Sequence, residues 1–95
     1  MKYGLSKEVY EKIKKVIDDN KSYKIVLFGS RARGDYKETS DIDLAVLSDI
    51  SRDEQYKIMN EIDLLDTAYK VDIVFVDSNT KKELIESIKR DGVEF

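Results

Sequence analysis

Ninety-five residues with a net charge of −3 and an isoelectric point near 5.0 suit one domain with one modest core, and give no sign of a basic surface for nucleic acid. The chain contains no Cys and no His, which excludes disulfide scaffolds, thiolate nucleophiles, zinc–thiolate sites and the commonest general base. Any metal site must be built from oxygen ligands, which favours Mg²⁺, Mn²⁺ or Ca²⁺.

Taken in chain order, Val9, Ile13, Val16 and Ile17 recur at helical spacing and predict a first helix from about Lys7 to Asp19, with Ser6 as its cap and Glu8 in its first turn. Lys24 to Phe28 reads as a first strand ending at Gly29. A polar segment, Ser30 to Ser40, leads to a second strand from about Asp41 to Leu47. Its alternation sends Ile42, Leu44 and Val46 to one face and Asp41, Asp43, Ala45 and Leu47 to the other. Ser51-Arg52-Asp53-Glu54 fits a capping box opening a second helix, whose buried face is marked by Ile58, Ile62 and Leu65 with Met59 beside them. Lys70 to Val76 is the third strand. Thr80-Lys81-Lys82-Glu83 fits a second capping box for a helix that buries Leu84, Ile85 and Ile88 and ends at Asp91-Gly92.

A helix between strands two and three permits parallel pairing, while the shorter connection between strands one and two suits an antiparallel pair. The expected fold is α+β, with α/β-like character: a small mixed sheet, strand order 1-2-3, flanked by helices and spanning residues 1–95 as a single domain. No apolar run is long enough to span a bilayer and no signal pattern opens the chain, so a soluble, cytoplasmic protein is expected.

Two segments are hard to explain as packing alone. In Ser40-Asp41-Ile42-Asp43-Leu44 the two aspartates share a strand face, roughly 6.6 Å apart along the chain. Asp72, in Val71-Asp72-Ile73-Val74, faces away from Val71 and Ile73, and pairing of strands two and three brings it within about 4.8 Å of the second strand. Like charges about 4 Å apart repel by roughly 4 kcal/mol at the effective dielectric of a protein surface, so such a patch calls for a retained proton or a divalent cation. Asp41 by itself reads as a solvated strand entrance; Asp43 and Asp72 lie inside strands, where Asp is disfavoured. The other segment is Gly29-Ser30-Arg31-Ala32-Arg33-Gly34. A strand ending in Gly-Ser and then turning helically exposes backbone amides that, with the Ser30 hydroxyl, can cradle phosphate oxygens. Arg31 or Arg33 can add charge-assisted contacts to a triphosphate or an acidic partner. The Gly29–Gly34 spacing is that of a Walker A loop, but Asp35-Tyr36 stands where Lys and Ser or Thr are required, and no G-x-G-x-x-G is present.

Leu27 to Gly34 followed by Ser40 to Leu44 resembles the DNA polymerase beta-type nucleotidyltransferase signature, and is most similar to its minimal prokaryotic branch, the MNT domain proteins. The resemblance implies the nucleotidyltransferase fold, with Gly29 and Ser30 on the triphosphate and Asp41 and Asp43 holding two catalytic Mg²⁺ ions. It implies Asp72 as the third carboxylate, helping to deprotonate the acceptor hydroxyl, and ATP as the nucleotide substrate. It also implies a partner: proteins of this branch pair with a small helical HEPN protein as antitoxin and toxin, and some transfer AMP to a tyrosine of that toxin. Two other readings stand beside it. One is a non-catalytic antitoxin neutralising its partner by contact, to which exposed apolar positions such as Tyr3, Tyr36 or Phe95 could contribute. The other is a transferase acting on a small-molecule alcohol.

Overall fold

The computed structural model describes residues 2–95. The apolar alternation of the strands decides its layering. Ile25 and Leu27 of β1 (Ile25–Phe28), Ile42, Leu44 and Val46 of β2 (Ile42–Val46), and Val71, Ile73 and Phe75 of β3 (Val71–Phe75) point to one side. There they meet Ile13 and Val16 of α1 (Lys7–Asp19) and Ile58 and Ile62 of α3 (Arg52–Asp63) in the main core. The intervening residues Val26, Phe28, Ala45 and Val74 point to the other side, where Leu84 and Ile88 of α4 (Lys82–Asp91) cover them. One face is thus sealed by two helices and the other partly by one.

β1 and β2 run antiparallel and β2 and β3 parallel, as the connection lengths require. The order 1-2-3 holds within a larger sheet. A fourth strand, β4 (Val93–Glu94), adds antiparallel to the free side of β1, giving β3-β2-β1-β4. It escaped the sequence reading because two residues carry no periodicity; the open edge of β1 makes them a strand. Between β1 and β2, α2 (Ser30–Arg33) is a single turn of helix closed by Gly34.

The Ser6 hydroxyl accepts from the Val9 amide and the Ser51 hydroxyl from the Glu54 amide, so both predicted caps form. The Thr80 cap does not. Its hydroxyl is engaged by Asp77, through the Asp77 amide and carboxylate, and α4 begins one residue later behind Lys81, which makes no side-chain cap bond. Gly92 does close α4, in an extended rather than left-handed conformation. Met59 is 40% exposed and lies off the buried face of α3. Tyr3 and Phe95 are not free apolar positions: Phe95 stacks on Tyr10 with ring centroids 4.7 Å apart and meets Tyr3 at 5.7 Å. Asn20 is buried and joins α1 to α3, donating to the Val16 carbonyl and Glu61 and accepting from Lys57. The high charge content is spent partly on helix surfaces, where Lys12–Glu8, Lys15–Asp19 and Lys57–Glu61 pair one turn apart. No helix among the described residues is long and apolar enough to cross a membrane.

Candidate functional site

The half-covered face of the sheet carries the candidate residues at the end where β1 finishes and β2 and β3 begin. Parallel pairing places Asp43 directly beside Asp72, and antiparallel pairing places Phe28, the last residue of β1, on the other side of Asp43. The next residue, Gly29, has φ 77 and ψ −160, a region essentially closed to residues with a side chain. A Cβ there would collide with the Asp43 carboxylate. Glycine at position 29 therefore serves two needs: it turns the chain from β1 into α2, and it leaves the space that Asp43 occupies. Within α2 the first amides have no intrahelical partners, and they follow immediately, beginning with Ser30.

Electrostatics single out Asp43. Its carboxyl is pushed above the ordinary value of 3.8, first by burial and then by the negative charges of Asp72 and Asp41. Arg33 and Lys70 offset part of this. Asp72 is 42% exposed at its side chain, with the Lys70 ammonium 3.6 Å away. Asp41 stands one residue before β2 rather than inside it, close enough to act on Asp43 through charge. Among the described residues no three acidic side chains are placed to hold a metal ion unaided. The trio expected from sequence is thus a side-by-side pair, Asp43 and Asp72, with Asp41 adjacent.

The two arginines part company. Neighbours two apart in a helical turn point about 200° apart, so only one can face the carboxylates. Arg33 does. Its side chain is 39% exposed, it pairs with Asp35 at 3.3 Å and with Asp91 at 3.2 Å, and its charge is felt by Asp43. Arg31 faces inward and is 1% exposed. Its guanidinium donates to the backbone carbonyls of Tyr3, Lys37, Glu38 and Ser40. The expectation that Arg31 binds phosphate is corrected accordingly, because its donors are already committed to carbonyls beneath the loop.

Two contributors went unread in the sequence. Asp91, seen there only as a helix end, has a side chain just 6% exposed and holds both Arg33 and Arg90. Those two cations, Arg90 first, hold its carboxyl below the ordinary range. Lys70 is the second; its position two residues before Asp72 on the same face was the available signal. A separate concavity of about 480 Å³, lined by Val26, Leu47, Val76, Ile85 and Ile88, lies on the same side of the sheet. Leu47 and Val76 each stand four residues beyond a carboxylate, about 13 Å along the strands, and no candidate residue lines it.

Comparison with known proteins agrees with this fold. The family model described as "Polymerase beta, Nucleotidyltransferase" matches residues 11–95. A relative in Methanocaldococcus jannaschii named "Putative protein adenylyltransferase MJ1379" is 36% identical over 90 residues, covering 93% of this chain and 87% of the relative. A second from the same organism, "Putative protein adenylyltransferase MJ0604", is 60% identical over 30 residues. That match covers 32% of this chain and spans only 30% of the relative's length. Among solved structures, a crystal structure of a toxin-antitoxin with AMP-PNP superimposes with a TM-score of 0.62 at 28% identity, covering 87% of this chain and 68% of the other. A structure titled "Crystal structure of a putative nucleotidyltransferase from Sulfolobus solfataricus at 1.40 A resolution", at 22% identity and a TM-score of 0.51 over 87% of this chain and 75% of that one, shares the fold.

Proposed function

Since the chain belongs to the polymerase beta nucleotidyltransferase family, we propose that it transfers AMP from ATP to a hydroxyl, a tyrosine of a HEPN-type toxin, and so acts as the antitoxin of the pair. The observation that carries this reading is the juxtaposition of Asp43 and Asp72 beside the Gly29 turn. Support for a protein acceptor comes from the name of the 36%-identical relative. Support for a toxin partner and an adenine nucleotide comes from the toxin-antitoxin structure with AMP-PNP.

The donor set fits Mg²⁺: only oxygen ligands are available, and Asp43 is held in a state of burial and repulsion that a divalent cation relieves. Asp41, Asp43 and Asp72 would hold two such ions, with phosphate oxygens completing the coordination. When bound, Mg²⁺ supplies polarisation of the α-phosphate and offsets its charge. The protein does the rest by position. Gly29, Ser30 and the first amides of α2 receive the triphosphate, and Arg33, held by Asp91, faces its charge. Asp72 accepts the proton of the acceptor hydroxyl. The acceptor oxygen bonds to the α-phosphorus, the bond from that phosphorus to the β-bridging oxygen breaks, and pyrophosphate leaves with the electron pair.

Incubation with ATP labelled at the α-phosphate, Mg²⁺ and a HEPN partner should place label on the partner, with Asp43→Asn slower by at least about 100-fold. Absence of label, or equal labelling by Asp43→Asn, rules the reading out. A second reading, neutralisation by contact, draws on the exposed side chains of Tyr56, Met59 and Leu64 on and just after α3. Neutralisation that survives replacement of all three aspartates selects it. Efficient transfer to a small alcohol without any partner would instead move the acceptor from protein to metabolite.

A further inference from the structure

Among the described residues, Arg31 is a buried cation with no acidic partner. It is 1% exposed, and among the described residues no carboxylate pairs with it; the nine ion pairs found there leave it out. Burying an unpaired charge is expensive, so its surroundings must replace water. They do so with dipoles and rings. Nε and Nη2 both donate to the Ser40 carbonyl, at 3.1 and 3.0 Å. Nη2 also reaches the Glu38 carbonyl at 3.1 Å and the Lys37 carbonyl at 3.4 Å. Nη1 reaches the Tyr3 carbonyl at 2.9 Å. The Tyr69 and Tyr36 rings lie 4.7 and 5.1 Å from the guanidinium carbon, within cation–π range.

These contacts come from separate parts of the chain, and those of Ser40 and Tyr69 lead to the candidate site. Ser40 is the residue before Asp41, so the two bonds to its carbonyl fix the peptide from which Asp41 projects. Tyr69 immediately precedes Lys70, whose carbonyl accepts from the Ile42 amide at 2.9 Å and so joins the starts of the strands that carry Asp43 and Asp72. The Tyr3 carbonyl belongs to the N-terminal turn bridged between Lys2 and Leu5. Gly4 in that turn has φ 71 and no room for a Cβ against the Tyr36 ring. A hydrophobic residue of Arg31's volume would fill the space, but would leave the Tyr3, Glu38 and Ser40 carbonyls without their donor, while the Lys37 carbonyl keeps the Ser40 amide.

We propose that Arg31 is a positioning residue: it sets the Asp41 and Asp43 carboxylates by gripping the Ser40 carbonyl from beneath, and ties their placement to the N-terminal turn through Tyr3. This rests on the reading of Asp41, Asp43 and Asp72 as the transfer site. A lysine keeps the charge but offers a point donor in place of a planar fork, so Arg31→Lys separates geometry from charge.

The test compares the wild-type full chain with Arg31→Lys and Asp43→Asn. For Arg31→Lys, folded by circular dichroism, kcat should fall 10- to 100-fold, on the order expected of a small misplacement of reacting groups, with KM for the nucleotide changed less than about twofold. Hydrogen exchange of the Ile42 amide, measured without nucleotide or metal, should quicken at least about tenfold. Wild-type kcat with unchanged Ile42 exchange makes Arg31 a packing residue and overturns the proposal. Transfer retained by Asp43→Asn would sink the site reading instead, and the exchange result would still judge what Arg31 holds. If Arg31→Lys does not fold, Tyr36→Leu removes one ring at a position 37% exposed. It should lower kcat in the same direction by a smaller factor at unchanged KM; no change in kcat then assigns Arg31 to folding alone and overturns the proposal.

Discussion

The Asp43 carboxylate works against the stability of its own sheet. It lies inside a strand, partly buried, next to a second carboxylate, and its proton is held more tightly in the folded chain than in the unfolded one. For an acid raised in this way, ionisation opposes folding as the pH rises through the folded value. Removing the charge while keeping the shape should therefore stabilise the metal-free protein at neutral pH. Asp43→Asn is expected to raise Tm by about 2–6 °C even as it abolishes transfer, and a thermal melt at pH 7 checks the sign. Asp91 behaves in the opposite way. Arg90 and Arg33 lower it below 3.8, so its contribution is present above the unfolded value and lost as the pH falls through the folded one. The Tm gap between wild type and Asp91→Asn should be widest at neutral pH and close progressively below about pH 4. A gap that stays constant down to pH 2 would mean the ion pairs with Arg33 and Arg90 contribute nothing.

At the scale of elements, the turn from β1 into α2 decides whether the site exists. Gly29→Ala must place a side chain at φ 77 and against the Asp43 carboxylate. Backbone strain of this kind costs about 1–3 kcal/mol, and displacement of Asp43 adds a loss of transfer beyond what instability explains. Chemical denaturation and kinetics at a temperature where the variant is folded separate the two effects. The elements themselves were mostly legible in the sequence, for identifiable reasons. α1 and α3 carry apolar residues at helical spacing, and the strand alternation that sends Asp43 and Asp72 away from the core is written in Ile42, Leu44, Val71 and Ile73. What escaped depends on tertiary choice. β4 is two residues recruited by a free edge, and the Thr80 hydroxyl had two possible uses, of which the turn at Asp77 took it. Arg31 was misassigned because a motif shows two arginines without showing which one the helical turn points inward; their spacing of two residues says only that both cannot face the same side.

At the scale of the whole molecule, the sheet is a platform sealed on one side and half open on the other. α4 covers Val26, Phe28 and Ala45, while the Asp72 side chain stays 42% exposed, so ligands reach the carboxylates from the open end. A triphosphate arriving there carries several negative charges toward a patch that is already repulsive. Arg33 and Lys70 offset only part of that repulsion; Arg33 is engaged by Asp35 and Asp91, and Lys70 by Asp72 itself. Nucleotide and cation should therefore bind as a unit. A ligand that binds only the folded state at 100 times its Kd adds about 2.7 kcal/mol, which for a chain of this length amounts to roughly 10–20 °C in Tm. ATP with Mg²⁺ should approach that shift, ATP with a chelator should give a small fraction of it, and Asp43→Asn should lose most of the difference. Equal stabilisation by ATP with and without the cation would place the triphosphate on the arginine side of the cleft, away from the carboxylates, and would separate nucleotide binding from the chemistry assigned to Asp43 and Asp72.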